Sequence, residues 1–127
     1  MLAPPAAPAG PVVRSGDGID LQTWDLGGDG PALLLIHATG FHGRCWLPLA
    51  PALAERFHVW AYDQRGHGAS GHTAAGDYRD WSSFVDDCLA VVDHLGLEQP
   101  YAAGHSLGGA VVLLAEQRRP ATFRALY

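Results

Sequence analysis

Gly104-His105-Ser106-Leu107-Gly108 sets a serine between two glycines, where an apolar run gives way to a helical pattern. The run Tyr101–Ala103 reads as a short buried strand. The residues from about Leu107 to Arg119 read as a helix that Pro120 stops. A serine on a tight strand-to-helix turn projects its hydroxyl clear of a sheet, and small residues on either side let strand and helix approach. The helix that follows aims free N–H groups at an oxygen on which negative charge develops. The pattern therefore points to attack by Ser106 on an acyl group, with the Leu107 N–H as one donor to the oxyanion. A catalytically silent Gly/Ser-rich connection can have the same local residues, so the rest of the chain has to decide.

A serine nucleophile needs a general base, and the base needs an orienting acid. All seven histidines precede Ser106, and Glu116 is the only carboxylate after it. Ten residues into a helix puts Glu116 about 15 Å from the turn, where it reads as solvated. The side chain of His105, next to the nucleophile, should diverge from the hydroxyl. His42 and His67 fall on loops and are the upstream alternatives. The His37/His42 and His67/His72 spacings fit no familiar ligand set, so neither metal nor cofactor is expected.

These residues need a frame. Residues 12–25 read as two short strands around a Gly16-Asp17-Gly18 turn, with Ile19, Leu21 and Thr23 on one face and Trp24 on the other. Ala32–Ile36 is continuously apolar, as in a strand buried on both faces of a parallel sheet. Apolar residues at 46, 49, 50 and 53 predict a short helix ending near Arg56, and residues 57–63 predict the next strand. Asp80 can cap a helix carrying Phe84, Val85, Cys88, Leu89, Val92 and Leu95 on one side, terminated by Gly96. "FRALY" opens a further strand. Alternation of strands and helices implies a mostly parallel sheet with helices on both faces.

Three stretches carry a resemblance. "LLLIHATGFHGRCW" (residues 33–46), "VWAYDQRGHGASG" (59–71) and "AGHSLGG" (103–109), in this order and at these spacings, resemble the α/β-hydrolase superfamily, and most of all its compact members with a mobile cap. Those members include esterases, lactonases and carbon–carbon bond hydrolases. The resemblance implies Ser106 as nucleophile, the Leu107 N–H as one oxyanion donor, and a second donor from the His37 loop, Thr39 ahead of Phe41. Ala38 stands where the family usually has Gly. His37 is implied to be structural, as is the loop of Asp63, Arg65, Gly66 and Gly68. Relatives that cleave carbon–halogen bonds or epoxides carry Asp at the elbow, so Ser106 implies acyl chemistry on an ester, thioester or lactone. Phe41 and Trp46 are expected to line a substrate wall.

The family's order is Ser, then Asp or Glu, then His, and the last two are missing here. The resemblance also implies a sheet of about eight strands, of which this chain holds about five and the start of a sixth. The expectation is an N-terminal portion of the domain, with residues 1–11 a flexible Pro/Ala-rich leader and 12–127 an incomplete domain. The parent would be a serine hydrolase and the chain as given inactive. The alternative is a non-catalytic module that pairs its open sheet edge, at Tyr101–Ala103, with another chain or a second copy.

Composition narrows the classes. The 127 residues are 48% apolar and 17% charged, with net charge −5, enough for one core and not a disordered composition. All eight positive charges are scattered arginines, which leaves no basic stripe for nucleic acid. No run reaches the roughly 18 apolar residues of a membrane span, and four prolines within the first eleven residues break any signal-peptide helix. Cys45 and Cys88 read as reduced core thiols. A small acyl substrate in a reducing, cytoplasmic compartment is the expectation.

Overall fold

The computed structural model describes residues 8–73, 78 and 80–127. Six strands form one sheet: β1 (Ala9–Arg14), β2 (Asp20–Gly27), β3 (Ala32–Ile36), β4 (His58–Tyr62), β5 (Tyr101–Gly104) and β6 (Ala125–Leu126). Their order across the sheet is β1-β2-β4-β3-β5-β6. The first two pairings are antiparallel, and from β4 to β6 all are parallel. Crossover helices are α1 (Ala50–Ala54), α2 (Ser82–His94) and α3 (Leu107–Arg118). The mostly parallel sheet with helices on both faces is as expected.

Strand alternation sorts the core into two layers. Leu34 and Ile36 of β3, Tyr62 of β4 and Ala102 of β5 pack with Phe84, Val85, Cys88, Val91, Val111 and Val112 of α2 and α3. Leu33 and Leu35 of β3, with Val59 and Ala61 of β4, face the other way, onto Trp46, Ala50 and Leu53.

Four boundaries differ from the expectation. The first strand starts before residue 12: β1 takes in Ala9–Pro11, and the Pro8 carbonyl and β1 already pair with β2, while residues 1–7, most of the expected leader, lie outside the described residues. The helix expected from Trp46 to Arg56 is split into a 3₁₀ turn (Gly43–Trp46) and the five-residue α1. Pro48 and Pro51 lack an N–H, so this stretch is closed instead by the shorter bonds Leu49 N–H to Trp46 O and Ala50 N–H to Leu47 O. The edge at β5 is not open, since β6 pairs with it through Tyr101–Ala125 and Ala102–Leu126; the outer edge belongs to β6. Finally, Glu116 is partly exposed, as expected, but it is also engaged. Its carboxylate accepts the N–H groups of Ala121 and Phe123 and fastens the turn after α3.

Other signals read true. Gly96 adopts φ +64 after α2, and the bonds Leu97 N–H to Val92 O and Gly96 N–H to Asp93 O close a Schellman motif. Asp80 accepts the Ser82 N–H at 2.8 Å at the start of α2.

Candidate active site

Register places the site. Tyr62 pairs with Ile36, and Ile36 with Gly104. The last residues of three adjacent strands thus lie on one line across the sheet. The loops that leave them, 37–43, 63–71 and the turn at 105–106, start side by side at the carboxyl ends of parallel strands, the usual ligand edge of an α/β sheet.

Ser106 has φ +55 and ψ −113, a conformation that costs a non-glycine residue roughly 1–3 kcal/mol and persists only where neighbours enforce it. Two glycines do so here. A Cβ on Gly104 would overlap the Gly108 carbonyl, and one on Gly108 would overlap the Ile36 carbonyl. The Ile36 carbonyl also accepts the His105 N–H at 3.0 Å, which staples the turn to the end of β3. Ser106 is exposed and stands immediately before α3, whose first residue is Leu107.

The adjoining loop is a tight turn. The Phe41 N–H donates to the Ala38 carbonyl at 3.1 Å, and Gly40 takes φ +84, the left-handed third position of a type II turn. That bond occupies the Phe41 N–H and leaves Thr39 as the candidate donor of this loop. Ala38 is buried with φ outside the left-handed region, so its methyl group replaces the usual Gly without strain. Phe41 is half exposed, and its ring lies 6.1 Å from that of His105, beside the elbow.

His37 is fully buried. Its Nδ1 lies 2.8 Å from the Ala38 carbonyl, and its Nε2 accepts the Gln64 N–H at 3.0 Å. Burial lowers its pKa, so the ring is neutral. Asp63 is equally buried and accepts three donors: Trp24 Nε1–H at 3.0 Å, Gly43 N–H at 2.6 Å and Ala69 N–H at 2.8 Å. A Cβ on Gly68 would overlap its carboxylate. Arg65 donates bidentately to Asp87 at 2.7 Å and to Asp17 at 2.9 Å. Bonds from Arg65 and Ser15 hold Asp17 down at about 2, whereas burial pushes Asp87 up. This loop joins the β1–β2 turn to α2.

The cysteines are poor competing nucleophiles. Both cysteines are free, and burial raises both thiols, Cys88 to about 12. The His67 Nδ1 is committed to the Arg65 carbonyl at 2.9 Å, and its ring packs on His37 at 5.0 Å. Among the described residues no side chain hydrogen-bonds the Ser106 hydroxyl, and no three His, Cys, Asp or Glu could hold a metal. His72 lies next to Thr73, where the first described part of its loop ends; residues 74–77 and 79 lie outside the described residues.

Trp46 packs against the layer of Leu33, Leu35, Val59 and Ala61. It lines an apolar cavity of about 350 Å³ on the α1 side of β3, β5 and β6, with Leu33, Leu35, Leu53, Phe57 and Tyr101, and Ser106 and Phe41 are not in its wall. The structure thus brings together Ser106, Leu107, Thr39 and Phe41, and leaves Trp46 in the packing beneath.

Two residues escaped the sequence reading. Gln64 was only the unnamed position inside Asp-x-Arg. Asp87 falls between Phe84 and Val91 on the apolar stripe of α2, and a carboxylate there is the signature of a buried partner; that signal was available.

Residues 31–127 match the family model described as the alpha/beta hydrolase fold. The chain belongs to this family. It is 42% identical over 104 residues to the dihydrolipoyllysine-residue acetyltransferase component of the acetoin cleaving system of Pseudomonas putida, covering 77% of this chain and 27% of that protein. It is 36% identical over 110 residues to a bifunctional esterase/perhydrolase of Acinetobacter calcoaceticus, covering 85% and 39% respectively. A hydrolase from Pseudomonas aeruginosa superposes with a TM-score of 0.85 at 29% identity, over 91% of this chain and 43% of the other. The chain thus spans well under half the length of each of these proteins. No helix of the described residues is long and apolar enough to cross a membrane.

Proposed function

We propose that this chain carries the nucleophile and oxyanion half of a serine hydrolase acting on a small ester, thioester or lactone. The observation that carries the reading is the enforced positive φ of Ser106 between two glycines that admit no Cβ. The Ser106 oxygen attacks the carbonyl carbon while a base takes its proton. The Leu107 and Thr39 N–H groups receive the developing oxyanion, the leaving group departs, and water hydrolyses the acyl-enzyme. Phe41 forms the wall beside the acyl group. No His or Asp follows Ser106 within residues 107–127, and in this reading acid and base are supplied from outside those residues. The small share of each relative that is matched supports this reading, as do the acyl reactions in two of their names.

The test is labelling of the full-length gene product with a fluorophosphonate. Wild type should be labelled, and Ser106→Ala should lose the label entirely. An unlabelled, folded wild type overturns the serine mechanism.

A second reading rests on the β6 edge and the apolar cavity beside it: a non-catalytic module that associates with a second copy through this edge. Sedimentation of residues 1–127 at a monomer mass across rising concentration would sink it.

A further inference from the structure

The Ala38 carbonyl and the Thr39 N–H are the two ends of one peptide unit, and in a trans peptide they point in opposite directions. The carbonyl end is held twice, by the His37 imidazole at 2.8 Å and the Phe41 N–H at 3.1 Å. Two donors fill both lone pairs of that oxygen and leave the peptide plane no freedom to rotate. The His37 Nε2 faces the Gln64 N–H at 3.0 Å. A peptide N–H can only donate, so Nε2 carries the lone pair and the proton sits on Nδ1. The Gln64 side-chain amide then donates to the His37 carbonyl at 2.8 Å, so one residue fixes both the ring and the main chain of His37. The residue before Gln64, Asp63, holds the far end of the same loop through the Gly43 N–H.

We infer that His37 is a positioning residue for the oxyanion hole: by its Nδ1–H bond to the Ala38 carbonyl it aims the Thr39 N–H, and the Gln64 main-chain N–H selects the tautomer that makes this bond. The inference rests on the serine-hydrolase reading. A carbonyl that accepts two hydrogen bonds also polarises its peptide, which strengthens the N–H at the other end as a donor. A cationic ring would set an Nε2–H against the Gln64 N–H and break the arrangement. The titratable groups around His37 are His67, His42 and Asp63.

Two measurements test this. The first needs no variant: long-range ¹H–¹⁵N correlations of residues 1–127 should show His37 with Nδ1 protonated and Nε2 bare. An Nε2–H tautomer overturns the inference. The second uses the full-length gene product and compares His37→Asn, whose amide nitrogen falls near the position of Nδ1, with His37→Gln, whose nitrogen falls near Nε2. Asn should keep the rate of Ser106 phosphonylation within about fivefold of wild type, and Gln should lower it about 100-fold, the size of a lost oxyanion donor. Esterase turnover should fall in kcat with KM nearly unchanged. Equal rates in Asn and Gln variants of equal melting temperature overturn the positioning role while leaving Ser106 as nucleophile. An unlabelled wild type would instead remove the reading beneath it.

Discussion

The strand-end loops and the cavity under α1 are built on opposite plans. At the strand ends nearly every contact is a directed hydrogen bond or a main-chain approach with no spare room: Gly108 on Ile36, Gln64 on His37, three donors on Asp63. The cavity is lined by aliphatic and aromatic side chains, with Leu49 54% exposed at its rim. The first region fixes the local geometry of its own loops. The second offers apolar area without specifying what meets it. The two regions should therefore respond differently to mutation, by geometry in one and by area in the other.

The largest effect should come from Gly108→Val. Its side chain meets main-chain atoms at the end of β3, which cannot swing aside, so a loss of more than about 3 kcal/mol is expected in chemical denaturation. A loss under about 1 kcal/mol would mean that the elbow is not held as described.

Mild acid should come next. The pKa of His37 is depressed in the fold, so its neutral form stabilises. That contribution is complete above the ordinary histidine value of about 6.5, and it is lost as pH falls from there through the folded value. Asp17, held at about 2, contributes above the ordinary value of 3.8 and is lost only as pH falls through about 2. Melting profiles should thus decline in two separate windows, and His37→Asn should flatten the upper one alone. A wild-type profile that is flat between pH 5 and 6.5 would contradict the buried neutral ring.

The smallest effect should be Leu49→Ser, under about 0.5 kcal/mol for an exposed side chain on an open cavity. A loss above about 1.5 kcal/mol would show that the rim is covered in solution, and would blur the contrast between the two regions.

How far the sequence could be read follows the same divide. Gly104 to Gly108 announced the elbow because its residue types have a single steric reason, and Asp63 with Gly68 announced a structural loop for the same cause. The Trp46–Arg56 helix was misjudged because apolar spacing alone does not register that Pro48 and Pro51 withhold N–H groups. Glu116 read as free of partners because the groups that donate to it, the N–H groups of Ala121 and Phe123, depend on how the chain turns after α3. Gln64 carries no pattern of its own: its main-chain N–H is one that any residue but proline supplies, and its side-chain bond to the His37 carbonyl joins two loops far apart in sequence. Trp46 is expected at the substrate wall, and only the folded sheet shows that it packs against the Leu33 and Leu35 layer and lines the cavity there.

The register that aligns Tyr62, Ile36 and Gly104 also bears on how such a chain can diverge. One residue inserted within β3 would turn Leu33 and Leu35 to the α2–α3 side and displace the Thr39 loop by about 3.3 Å along the strand relative to Ser106. The connections tolerate changes in length, and the three strands do not. Changes of length are thereby confined to the connections, while the separation of Ser106 from the Thr39 turn is set by a count of residues along β3 and β5.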